Sequence, residues 1–106
     1  MSERFARSIV FFDLPTVTLE DRRSYNKFRK ALIKNGFIML QESVYCRLIT
    51  TENAEKTIDR IIELNKPKDG IVHILRITEK QFAKIKFLVG ESTSDIIDSD
   101  ERIVIL

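Results

Sequence analysis

Apolar residues recur along this chain in two rhythms, and the changes of rhythm mark its elements. Arg7 to Phe12, ending in the unbroken run Ile9-Val10-Phe11-Phe12, reads as a strand covered on both faces or central in its sheet. Pro15 then takes the chain out of any ladder. Thr18-Leu19-Glu20-Asp21 has the form of a capping box, in which the Thr18 hydroxyl accepts from the amide of Asp21 while the Asp21 carboxylate reaches back. It predicts a helix that closes at Asn35-Gly36, because glycine readily takes the left-handed conformation a helix end needs. Within it Tyr25, Phe28 and Leu32, with Ala31 beside them, fall on one stripe and are the expected buried face.

From Phe37 to Ile49 the pattern becomes strand-like, with Val44, Cys46 and Leu48 on one side and Tyr45, Arg47 and Ile49 on the other. Gln41-Glu42-Ser43 interrupts it, which fits either one bulged strand or two short strands joined by a tight turn. Thr51 and Glu52 open a second amphipathic helix with the stripe Ala54, Ile58, Ile61 and Ile62, ending near Asn65. Its outer face mixes Glu55, Lys56, Asp59, Arg60 and Glu63 and reads as merely solvated. A turn over Lys66 to Gly70 leads to a strand over Ile71 to Ile77, and Thr78-Glu79-Lys80-Gln81 is a second capping box that starts a short helix. A further strand is predicted over Ile85 to Val89, then a polar connector, and a last strand over Arg102 to Leu106.

The expected architecture is one domain over 1–106, with a core over 1–90, a connector over 91–100 and a C-terminal strand over 101–106. Two helices on one face of a mainly antiparallel sheet make an α+β sandwich, most commonly the ferredoxin-like arrangement at this size. A terminal strand on such a connector is able to pair with another sheet. Strand exchange in a homodimer, or docking of a partner through Ile103, Val104, Ile105 and Leu106, is therefore expected.

Composition supports a globular domain, with 43% apolar and 32% charged residues. No apolar run approaches the roughly 18–20 residues of a membrane span, and MSERFARS lacks a signal peptide's apolar region, so a cytoplasmic protein is expected. Cys46 is single and reads as a small buried hydrophobe. A net charge of +2 does not announce a nucleic-acid partner, but the positive excess lies in the first half. Arg23, Lys27, Lys30 and Lys34 fall along the solvent side of the first helix, with Arg22 adjacent. Like charges at this spacing repel, so the face is either simply solvated or a path for a phosphate backbone, bound without base specificity.

Few residues are suited to catalysis. The chain has no Gly-rich phosphate loop and only one histidine, His73, which sits mid-strand and reads as structural. Asp13, at the end of the first strand, is either a turn residue ahead of Pro15 or a rigidly held functional carboxylate. One or two carboxylates with waters and substrate phosphates suffice for Mg2+, and a two-fold dimer that brought two copies of Asp13 together would supply the pair.

Several features resemble the CRISPR-associated Cas2 family in their order along the whole chain. They are the apolar strand ending in Asp13, the basic helix closing in Asn35-Gly36-Phe37, the stretch Gln41-x-Ser43-Val44-Tyr45, and Ile77-Thr78-Glu79-Lys80-Gln81-Phe82. The Phe12-Asp13-Leu14-Pro15 wording looks most like the type II-A branch. The resemblance implies a ferredoxin-like homodimer with an exchanged C-terminal strand, and a role in spacer acquisition that bridges Cas1 integrase subunits on duplex DNA. It also implies a Mg2+-dependent endonuclease with Asp13 as its metal-binding aspartate. Family members often carry Tyr before that aspartate and Phe where Tyr45 stands; here Phe12 and Tyr45 replace them. The alternatives are a purely structural DNA-binding scaffold and a regulatory ligand-binding domain of the same fold.

Overall fold

A computed structural model of the chain describes residues 6–90. The elements are β1 (Ala6–Asp13), α1 (Leu19–Lys34), β2 (Ile38–Gln41), β3 (Val44–Ile49), α2 (Glu52–Asn65), β4 (Ile71–Thr78) and α3 (Glu79–Phe82). The strands form one antiparallel sheet in the order β2-β3-β1-β4, which is the ferredoxin-like order, with β1 central. Both capping boxes form: Thr18 accepts from the Asp21 amide and Thr78 from that of Gln81, and each partner's side chain accepts from the cap backbone. Gly36 follows α1 with φ +90°, as the Asn35-Gly36 pair predicts.

The register separates two faces of the sheet. Val10 lies opposite Tyr45 and Ile74, and Phe12 opposite Val72. On this side α1 and α2 cover the sheet with Phe28, Leu32, Ile58 and Ile62, and the Phe12 ring stacks on Tyr45 and meets Tyr25 and Phe28 edge-on. Burial of one such ring stabilises the fold by about 1.5–3 kcal/mol. Ile9 opposite Cys46 and Leu75, Phe11 opposite Val44 and His73, and Asp13 opposite Ile71 form the other face. Among the described residues neither α1 nor α2 covers it and the short α3 reaches it at the Arg7 end, while Phe11, Leu48, Ile71 and Leu75 remain exposed.

Residues 37–49 form the second alternative, two short strands joined at Glu42-Ser43, with a register shift between Met39 and Gln41. Ser43 takes a left-handed conformation, φ 66°, which lets the two-residue connection close. The strand expected over Ile85 to Val89 does not form; these residues are irregular and exposed. Ile85 donates its amide to the Phe82 carbonyl, continuing the turn that ends α3, and strand-forming side chains alone cannot hold a strand without a ladder. The connector 91–100 and the strand 101–106, with Ile103, Val104, Ile105 and Leu106, lie outside the described residues. The outer face of α2 is not merely solvated either, since Glu55 and Asp59 both pair with Arg76 of β4, the latter at 3.3 Å. Burial pushes the Asp59 carboxyl up and the Arg76 guanidinium down from their ordinary values.

Candidate metal and nucleic-acid site

Asp13 is the last residue of β1, exposed, and its carboxylate has no ion-pair partner among the described residues. The backbone beneath it is held from two sides. On one, the Phe12 amide donates to the Ser43 carbonyl at 3.0 Å, and the Ser43 hydroxyl is hydrogen-bonded to the Tyr25 hydroxyl at 3.0 Å. On the other, Gly70 at φ +98° comes so close that a Cβ there would stand 2.7 Å from the Asp13 carbonyl oxygen and 2.7 Å from Leu14 Cδ2. Asp13 thus presents a carboxylate without an ion-pair partner among the described residues, on a strand end held from both sides.

The residues on β1 and β4 around Asp13 are mostly apolar. His73 is exposed on the same face, with its ring edge-on to Phe11 at 5.4 Å between centroids. It lies mid-strand in β4, as the sequence predicts. Among the described residues no group of three His, Cys, Asp or Glu side chains could hold a metal. One chain offers Mg2+ one carboxylate here, which fits that ion's habit of few protein ligands and many waters or phosphate oxygens, provided a second copy supplies another.

The basic residues divide. Arg23, Lys27 and Lys30 line one shallow depression with Asn26, and Lys34 is exposed a turn further along α1. Arg22 instead turns its Nη1 back to donate to the carbonyls of Thr16 and Val17, at 3.4 and 3.1 Å, and ties down the loop after Asp13. The crevice between α1 and α2 has no room for a water molecule, so it gives the ligand-binding alternative no support.

At the opposite end of β1, Arg7 reaches across the open face. Its Nε and Nη2 donate to the Glu79 carboxylate at 3.0 and 2.9 Å, and its guanidinium lies 4.5 Å from the centre of the Phe82 ring. Burial works against this charge, but the Glu79 carboxylate outweighs it and holds Arg7 above its ordinary value. Beneath it Cys46 is fully buried, as expected, and burial pushes its thiol up. Sequence reasoning misses this cluster because no local spacing links residues so far apart. Gly70 and Ser43 stand in recognisable turns, but their approach to β1 is a tertiary fact.

No helix among the described residues is long and apolar enough to cross a membrane. Similarity to known proteins adds to this geometry. The family model described as CRISPR associated protein Cas2 matches residues 6–85. A protein of Treponema denticola named CRISPR-associated endoribonuclease Cas2 is 50% identical over 100 residues, 94% of this chain and 99% of its own length. Proteins of the same name from Streptococcus mutans and Lacticaseibacillus rhamnosus are 45% and 42% identical, each over 94% of this chain and over 92% and 99% of their own lengths.

Proposed function

Because the chain belongs to the CRISPR-associated protein Cas2 family, we propose that it serves spacer acquisition as a homodimer that binds duplex DNA and bridges Cas1 integrase subunits, and that it hydrolyses phosphodiesters with Mg2+. The observation that carries the site is the exposed, unpaired Asp13 carboxylate at a clamped strand end. A second copy laid on the apolar open face would cover Phe11, Ile71 and Leu75 and bring its own Asp13 toward the first. Residues 101–106 would complete this dimer by pairing with the other copy's sheet.

Two Asp13 carboxylates would hold the ion, which supplies charge compensation for the phosphate under attack. The chain's own part is positional. Ser43 and Gly70 fix the height of the carboxylate, and Arg23, Lys27, Lys30 and Lys34 attract the backbone of the nucleic acid toward the helix. The relatives' name says that they are endoribonucleases, so RNA belongs among the substrates tested beside duplex DNA.

Wild type and Asp13→Ala are to be assayed for cutting in Mg2+ and in chelator, and in parallel for spacer acquisition. The nuclease reading expects cutting only by wild type with metal; equal cutting by both proteins would sink it. Acquisition that survives Asp13→Ala while cutting is lost would assign the protein to acquisition as a scaffold. Loss of acquisition on deleting the whole chain is expected in either case.

A further inference from the structure

We propose that Tyr25 is a positioning residue for Asp13, acting through Ser43, an inference that rests on the nuclease reading above. β4 pairs with β1 as far as Asp13, but β3 pairs with it only as far as Phe11 opposite Val44. The Phe12 amide finds its partner beyond the end of β3, in the Ser43 carbonyl at 3.0 Å. Ser43 belongs to the two-residue turn between β2 and β3, and its φ of 66° is one that a residue with a side chain seldom takes. The last rung beside Asp13 thus hangs on a backbone conformation that needs support.

That support comes from α1. The Tyr25 hydroxyl is hydrogen-bonded to the Ser43 hydroxyl at 3.0 Å, and the Tyr25 ring meets Phe12 edge-on with centroids 5.6 Å apart. The ring contact needs only an aromatic residue, and a phenylalanine would serve it. Packing leaves the hydroxyl unexplained, and its partner is the residue that carries the last rung beside Asp13. The same helix presents Arg23, Lys27 and Lys30, so one short path joins the cationic row to the carboxylate.

Without the Tyr25 hydroxyl, Ser43 is free to leave the left-handed region, and its carbonyl swings away from Phe12. The Asp13 carboxylate then spends part of its time displaced, and a metal ion binds it less well. One net hydrogen bond shifts such an equilibrium by about three- to ten-fold. Tyr25 touches neither metal nor substrate in this scheme, so its loss weakens metal occupancy and leaves nucleic-acid binding alone.

The test compares the full-length wild type with Tyr25→Phe, which keeps the ring and removes the hydroxyl. Native-state amide exchange followed by NMR should show Phe12 exchanging about three- to ten-fold faster in the variant, with Val10, deeper in the strand, unchanged. In a cutting assay on a labelled oligoribonucleotide and a DNA duplex, half-maximal rate should need about three- to ten-fold more Mg2+, with KM for the nucleic acid unchanged. Ser43→Gly, which reaches the left-handed region without help, should bring both readouts back toward wild type when added to Tyr25→Phe. This double variant also carries the comparison if Tyr25→Phe melts early. Unchanged Phe12 exchange, or an unchanged Mg2+ requirement for cutting, overturns the role of Tyr25 alone. Val10 losing as much protection as Phe12 makes Tyr25 a general stabiliser and overturns it as well. A wild type that cuts neither RNA nor DNA with Mg2+ overturns the nuclease reading, and Phe12 exchange then decides whether Tyr25 sets the strand end.

Discussion

The Arg7 guanidinium grips the Glu79 carboxylate through two nitrogens, joining residues 72 positions apart at the end of β1 remote from Asp13. With the Phe82 ring beneath the same guanidinium, this contact fastens α3 over the sheet's open face. Charge-assisted pairs of this kind are worth about 1.5–3 kcal/mol, and the partial exposure of both partners lowers that. Arg7→Ala and Glu79→Gln should each destabilise by about 1–2 kcal/mol in urea titrations. The double variant should cost less than the two single losses combined, and strict additivity would show that the pair is not coupled.

Gly70→Ala should be more damaging than an exposed turn glycine normally is. A Cβ at that position has both a left-handed φ of +98° and the Asp13 carbonyl at 2.7 Å to contend with. Strain of this kind costs about 1–3 kcal/mol, and a domain of this size loses roughly 4–8 °C of melting temperature per kcal/mol. Gly90→Ala, at φ +97° with nothing within 4 Å of its Cβ, should be milder in calorimetry.

Nucleic-acid binding should depend on salt through the α1 face. Each phosphate that the protein ceases to neutralise lowers the slope of log affinity against log salt by about 0.9 on duplex DNA. Lys27→Glu with Lys30→Glu should therefore flatten the slope by about two, measured by fluorescence anisotropy from low to moderate salt. Arg22→Ala should change it less than Arg23→Ala, because Arg22 already donates to the Thr16 and Val17 carbonyls.

Alkaline pH should unload the Cys46 region. The thiol is raised above its ordinary value of 9.0 by burial, with Arg7 opposing. A raised folded-state value means that the stability contribution is complete below the unfolded value and is lost as pH rises through the folded one. Stability should thus fall above about pH 9, and Cys46→Ala should flatten that part of the profile in pH-dependent urea unfolding. At neutral pH the native thiol should react with a disulfide reagent only at the rate of opening, since Cys46 is 0% exposed.

What can be read from the sequence depends on how local its cause is. Caps and stripes are legible: Thr18 with Asp21, Thr78 with Gln81, and Phe28 with Leu32 act over one or two turns of helix and stand where their spacing puts them. Cys46 is legible as a buried residue from strand alternation alone. Ile85 to Val89 misleads because β-branched and aromatic residues signal a strand only where an edge receives them, and the amide of Ile85 goes to Phe82 instead. That His73 stands exposed is not legible, because alternation tells which residues share a face but not whether a helix covers that face. Arg22 looks like its neighbours in the cationic row, and only the path of the loop after Asp13 sets it apart.

β1 keeps Arg7 and Asp13 six residues apart, which at strand rise is roughly 20 Å. Both residues are locked in register to neighbouring strands on at least one side, so a slip of one residue would turn every side chain to the wrong face. The strand therefore behaves as a rigid spacer between two independent workplaces. Substitutions that retune the α3 end are free to accumulate without moving the carboxylate, and the two ends can diverge at different rates among relatives of this chain.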